Sequence, residues 1–146
     1  MALGAAPERV LVESDFLFGL RSSDGHHAHV VEALKRHRAG ALSIQVLSSA
    51  VVEVKTVLHS RGLEPDVIED TLSLMDAILA QHGVRGFIPL ELGDAVLAEK
   101  MRRKERRLGF FDSLHAAVSQ RLAIRLLSSE QAYADLALQV LDLDSL

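Results

Sequence analysis

The stretch FFDSLHAAVSQRLAIRLLSSEQAY, from Phe110 to Tyr133, decides how the chain is read. Asp112 to Leu122 carries helical spacing, and Ile124 to Ser128 is a short apolar run closed by serine, as expected of a strand buried on both faces. A helix crossing between parallel strands begins at the carboxyl edge of the sheet, and the following strand ends at that edge. Asp112 at the mouth of the helix and Glu130 just past the strand therefore fall on the same side.

Working outward, the same arrangement recurs twice. Val10 to Glu13 reads as a first strand with Glu13 at its tip, and Asp15 to Leu20 starts a helix at once. Leu42 to Leu47 reads as a second strand, and the helix after it, capped by Ser48 or Ser49 and running to about Arg61, carries Glu53 among Val51, Val52 and Val54. The remaining segments keep the alternation. His26 to Arg38 is a helix closed by Ala39-Gly40. Pro65 opens a helix striped with Val67, Ile68, Leu72, Met75, Ile78 and Leu79. Phe87 to Leu90 is a strand, Gly93 to Leu108 a helix, and Gln139 to Leu143 a last edge strand. Alternating strands and helices predict an α/β fold with a mainly parallel sheet.

With 146 residues, the chain fits a single domain spanning 1–146 with a substantial core. Aromatic residues are sparse, so Leu, Val, Ala and Ile must fill that core. The absence of Cys excludes a disulfide framework and a thiolate metal site, and suits a cytoplasmic location. The absence of both Cys and Asn is a compositional mark of heat-adapted proteins, although the charged fraction is ordinary. No apolar run is long enough to cross a bilayer, and Met1 to Arg9 lacks the pattern of a signal peptide. A net charge of −4 argues against a general electrostatic grip on nucleic acid. The basic residues are nevertheless concentrated between Lys100 and Arg107. Lys100, Arg103 and Arg107 share helical spacing, so they form either a solvated face or a rail for RNA phosphates.

Glu13, Glu53, Asp112 and Glu130 each have a plainer explanation. Glu13 is a strand-end acid beside Asp15, and either of the two would serve as the ligand with the other in support. Glu53 lies four residues after Ser49, which breaks the capping-box spacing and leaves an exposed Glu pairing with Lys55 or Lys100 as its structural alternative. Asp112 suits an N-cap, and Glu130 the first turn of a serine-capped helix. His115, one turn beyond Asp112, would reach the same crevice. The run His26-His27-Ala28-His29 has no metal-ligand spacing and reads as a surface helix start. Carboxylates converging at one sheet edge repel by roughly 4 kcal/mol per pair at about 4 Å, a repulsion that a hard divalent cation relieves.

The order of these pieces resembles the PIN domain family. Val12-Glu13-Ser14-Asp15-Phe16-Leu17 is similar to its opening strand tip, and Ser49-Ala50-Val51-Val52-Glu53 to its second acid. Phe111-Asp112-Ser113-Leu114-His115-Ala116-Ala117 matches its third motif, and Leu126-Leu127-Ser128-Ser129-Glu130-Gln131-Ala132-Tyr133 its fourth, Thr-x-Asp-x-x-Phe. The resemblance runs from Val10 to about Leu143. It implies a three-layer α/β/α, Rossmann-like domain around a central mainly parallel sheet of four to five strands. It also implies a metal-dependent endoribonuclease of the VapC toxin or RNA-processing type. Mg²⁺ or Mn²⁺ would be held by Glu13, Asp112 and Glu130, with Glu53 completing the catalytic set and Asp15, Ser128 and His115 in support. RNA, an antitoxin and a second copy of the chain are the implied partners. Two departures stand out: Glu13 and Glu130 occupy positions where the family has Asp, each adding one methylene. The alternative is a catalytically weak RNA-binding or interaction module built on the same fold.

Overall fold

A computed structural model describes residues 4–136 and 138–146. Five strands, β1 (Glu8–Val12), β2 (Leu42–Leu47), β3 (Gly86–Ile88), β4 (Arg125–Ser128) and β5 (Val140–Asp142), form one sheet in the order β3-β2-β1-β4-β5. Every neighbouring pair is parallel, as the alternation predicted. The connections hold α1 (Ser14–Gly19), α2 (His27–Arg38), α3 (Ser48–Ser60), α4 (Pro65–Gln81), α5 (Leu92–Lys104) and α6 (Phe110–Leu122). Two 3₁₀ turns, Gln131–Asp135 and Leu143–Ser145, flank β5. Among the described residues, no helix is long and apolar enough to cross a membrane.

The central strand explains the layering. Val10, Leu11 and Val12 are all 0% exposed, and successive strand residues face opposite sides, so both faces of the sheet are covered. Ala50, Val54 and Leu58 of α3 and Ala116, Ala117 and Val118 of α6 are buried in the same core. A side chain at Gly19 would stand 2.5 Å from a Val30 methyl, so the tight passage from α1 towards α2 requires glycine.

The strand order places the site. From β1 the chain builds outward through β2 to β3, then returns to the other side of β1 for β4 and β5. The reversal lies between β1 and β4, where Val12 pairs with Leu127. Ligand crevices form beyond strand ends at such a point. Glu13 lies one residue past β1, and Ser128 is the last residue of β4.

Helix boundaries differ from expectation in two functional places. The segment expected to be helical to Leu108 stops at Lys104, because Glu105 adopts an extended backbone (φ −128°, ψ 96°). Leu108 is still buried, but a turn brings it in and not the helix. The next helix begins at Phe110 with Gly109 as its N-cap, so Asp112 sits in the first turn and is not the cap.

The far end of α6 closes on Ala123 in the left-handed region (φ 53°, ψ 41°). Ile124 N–H donates to the Ser119 carbonyl at 3.2 Å and Ala123 N–H to the Gln120 carbonyl at 3.3 Å, a Schellman closure that glycine usually supplies. An L-residue there is strained by about 1 kcal/mol. Ala123→Gly should therefore raise the midpoint of thermal unfolding by about 2–4 °C. A calorimetric scan showing a lower midpoint would mean that Ala123 carries no such strain.

Candidate metal centre

Glu13 occupies the switch point with 3% exposure. One carboxylate oxygen accepts the Ser128 hydroxyl at 3.1 Å, and the other accepts the Tyr133 hydroxyl at 2.5 Å. Tyr133 belongs to the 3₁₀ turn after β4 and is 0% exposed. Its hydroxyl also lies 3.5 Å from Asp112 Oδ1, so it stands between two acids.

Glu53 and Asp112 arrive from the two helices packed over this edge. His115 is fully buried between them. Its Nε2 lies 2.6 Å from Glu53 Oε2, and its Nδ1 lies 2.8 Å from Ser49 Oγ. The tautomer with the proton on Nε2 donates to the Glu53 carboxylate and leaves Nδ1 to accept from the serine, which satisfies both contacts. The Phe111 ring stacks on the imidazole at 6.4 Å between centroids. Glu53 is therefore a half-buried acid held by a histidine, and this contact stands in place of the alternative, an exposed Glu pairing with Lys55 or Lys100. Ligand atoms of Glu13, Asp112 and His115 all lie within 4.8 Å of one another.

Asp15 holds the loop leaving β4. Its Oδ2 accepts both the backbone N–H and the hydroxyl of Ser129 at 2.8 Å. Ser128 has a double role, donating to Glu13 and accepting the Glu130 N–H at 3.0 Å. Glu130 is exposed, and its Oε1 accepts the Ala132 N–H at 2.9 Å, so it caps the 3₁₀ turn itself. A cavity of 560 Å³ opens here, and Glu13, Asp15, Glu53, Asp112 and Glu130 all line it.

The electrostatics follow from this crowding. Burial pushes the Glu13 carboxyl well above its ordinary range, and Asp15, Asp112 and Glu53 push it further against the opposing Tyr133 hydrogen bond. Asp112 is raised to about 6, by burial first and then by Glu130 and Glu53, with His115 and Tyr133 pulling back. Tyr133 is itself raised by burial and by the charges of Glu13 and Asp112. A buried Glu13 with the partly buried Asp112 and Glu53 beside it forms a crowded, mutually repelling carboxylate set that suits a hard divalent cation.

The basic residues between Lys100 and Arg107 are placed elsewhere. Lys100 lines a hollow with Leu97 and Gln120, and Arg103 lines another with Glu99 and Arg106. Arg107 lies past the end of α5, off the helical face of Arg103, and donates to Glu105 at 2.9 and 3.1 Å. Among the described residues, the histidines at the start of α2 form no metal-ligand group. His26 and His29 approach one Asp144 oxygen at 2.9 and 4.0 Å, His27 meets the Gly19 carbonyl and His29 also the Leu146 carbonyl.

Sequence reasoning missed the Tyr133 hydroxyl, the grip of Ser49 on His115, and the two arginines, Arg21 and Arg61, that line the cavity. The signal for the first was present, since Tyr133 is the one tyrosine in the chain and stands where the resembling motif carries Phe.

Two outcomes test this geometry. Tyr133→Phe leaves one oxygen of a buried carboxylate without its donor, which should destabilise the metal-free protein by about 1–3 kcal/mol and enlarge the gain in melting temperature on adding Mn²⁺. Equal gains in parent and variant would show that the hydroxyl does not compete for Glu13. The raised Asp112 means that the folded chain holds more protons than the unfolded chain between about pH 4 and pH 6, and the raised Glu13 acts in the same direction. Their contribution to metal-free stability is greatest at the acid end and declines as pH rises through that window. Asp112→Asn should flatten this decline in urea titrations, and an unchanged pH profile would refute the assignment.

No family model matches the chain, and no curated protein matches it either. Solved structures do share its architecture. VapBC2 from Rickettsia felis, solved bound to a DNA fragment from its promoter, has a TM-score of 0.69 at 12% identity, covering 92% of this chain and 97% of that one. FitAcB from Neisseria gonorrhoeae has a TM-score of 0.67 at 15% identity, covering 94% and 99%. VapC20 from Mycobacterium tuberculosis, a toxin that cleaves the sarcin-ricin loop, has a TM-score of 0.65 at 18% identity, covering 90% and 98%. At these identities the likeness is one of fold, and the chain has the PIN-like α/β fold of these VapC-type proteins.

Proposed function

We propose that the protein is a divalent-metal-dependent endoribonuclease acting as the toxin of a toxin–antitoxin pair. The observation that carries this reading is the convergence of Glu13, Glu53, Asp112 and Glu130 on one cavity at the switch point. Glu13 and Asp112 are the inner ligands. Glu53 stands within reach from α3, and Glu130 closes the open side. Asp15 supports the loop that carries Ser128 and Ser129, which favours Glu13 over Asp15 as the ligand. Bound Mg²⁺ or Mn²⁺ would supply a Lewis acid for a phosphate oxygen and a water of lowered pKa. His115 and Ser49 fix the direction of the Glu53 carboxylate. The antitoxin partner is suggested by solved neighbours of this fold, one of them a toxin–antitoxin complex from Klebsiella pneumoniae. A cytoplasmic homodimer is the setting implied by the PIN resemblance.

One feature favours a second reading. Both Glu13 oxygens are taken by protein hydroxyls, so a site of weak cation affinity that binds RNA without cutting it is the alternative.

Cleavage of single-stranded RNA in Mn²⁺ separates the two. The nuclease reading expects cleavage that chelation abolishes, and a loss of about 100-fold or more in kcat/KM for Asp112→Asn and Glu53→Gln. RNA that is bound but left intact by the parent in Mn²⁺ supports the binding module. Cleavage that continues unchanged in chelator removes the metal from the account.

A further inference from the structure

The cavity that holds the acids has a second wall, built from Phe18, Arg21 and Arg61. Arg61 is the residue that closes α3, and its guanidinium carbon lies 5.2 Å from the centroid of the Phe18 ring. Phe18 is half-buried on α1 and packs against the core, so the plane beneath the guanidinium is fixed. The α3 helix that ends in Arg61 also carries Glu53. Eight residues of helix separate them by about 12 Å, a rigid spacer between acid and cation.

The charges make this wall unusual. Six carboxylates line the cavity, from Glu13, Asp15, Asp24, Glu53, Asp112 and Glu130. Among the described residues, neither Arg21 nor Arg61 is within ion-pair distance of any carboxylate; Arg9, Arg38, Arg85, Arg103 and Arg106 also lack an ion pair, but none of those five lines this cavity. A guanidinium laid on an aromatic face keeps its in-plane N–H donors for a partner outside the ring. Unpaired arginines facing an acidic cavity are suited to an anion that spans both walls, and a polyphosphate backbone is such an anion. The stretch between Lys100 and Arg107 does not line this cavity, so any hold it has on RNA lies farther along the strand.

We propose that Arg61, seated on Phe18 and assisted by Arg21, forms a subsite for a phosphate of single-stranded RNA next to the one held at the acids. The proposal rests on the RNA-directed reading above and assigns where the flanking backbone is gripped. Arg61 is a substrate-binding residue, with no part in bond breaking.

The test uses a fluorescent single-stranded oligoribonucleotide, with two readouts. Cleavage by the full chain in Mn²⁺ should show a KM raised roughly tenfold in Arg61→Ala, with kcat little changed. Binding by fluorescence anisotropy, in an Asp112→Asn background, should weaken similarly, and the slope of log affinity against log salt should fall by about 0.7 in the Arg61→Ala double variant. Phe18→Leu keeps apolar bulk without the ring and should produce part of the same effect, and Arg61→Lys should recover the salt slope better than the KM. Arg61 is exposed, and matching melting curves would show that the variants fold. A parent that cuts RNA while Arg61→Ala keeps the parent KM and salt slope overturns the subsite and leaves the nuclease standing. A protein that binds the oligomer with an Arg61-dependent slope but never cuts it sinks the nuclease and keeps the subsite. A parent that neither binds nor cuts overturns both.

Discussion

A carboxylate buried at the end of the central strand is the constraint around which the functional edge is organised. An unpaired buried charge is expensive, so such a group shifts its pKa, gathers donors or holds a cation. Glu13 shows the first two. Ser128 and Tyr133 donate to its two oxygens, and burial together with neighbouring acids raises its proton affinity. Neither donor lies near Glu13 in sequence. Both reach it because β4 returns beside β1 and its exit loop folds back as a 3₁₀ turn over the strand tips. The topology that creates the crevice thus also delivers the groups that make a buried acid tolerable.

Much of this was legible because strands buried on both faces announce themselves as short unbroken apolar runs. Val10 to Val12 and Leu126 to Leu127 are such runs, and the acids just beyond them fall at the carboxyl edge by necessity, whereas Leu42 to Leu47 is interrupted by Ser43 and Gln45 and shows itself by alternation. Less legible were features decided by tertiary partners. Helical spacing continues from α5 through Arg107, yet the chain must turn at Glu105 to start α6 antiparallel to α5, and local propensity does not encode that need. Glu53 was placed among the site acids, but its contact with His115 was not legible, because that partner is remote in sequence and buried only once α6 docks on α3. The strand tips were recognised through period and length and Ser128 through the PIN resemblance, but the Tyr133 hydroxyl was not, since a lone tyrosine carries no periodic signal.

The two Glu-for-Asp departures are physically unlike. Glu130 is exposed, and its carboxylate caps the turn that carries Tyr133. Additional length there is accommodated by solvent. Glu13 is enclosed, and the added methylene extends its carboxylate to the Tyr133 hydroxyl. The tyrosine stands where the resembling motif has an unadorned ring, so the longer acid and the added hydroxyl are complementary changes at one contact. A hydroxyl between Glu13 and Asp112 also weakens their mutual repulsion when no cation is present, which connects the departure to stability as well as to metal affinity.

The cavity is therefore bipolar. Its acidic side cannot by itself attract RNA, because phosphates are repelled by the same charges that would retain a cation. On its basic side, Arg61 closes the helix that supplies Glu53 and lies over the Phe18 ring, and among the described residues neither it nor Arg21 is within ion-pair distance of a carboxylate. Salt bridges across the cavity would satisfy both sides and leave nothing for a substrate. The α3 helix keeps Arg61 about two turns from Glu53, and under the proposed reading a cation and a chain of phosphates are the ligands that would satisfy both walls together.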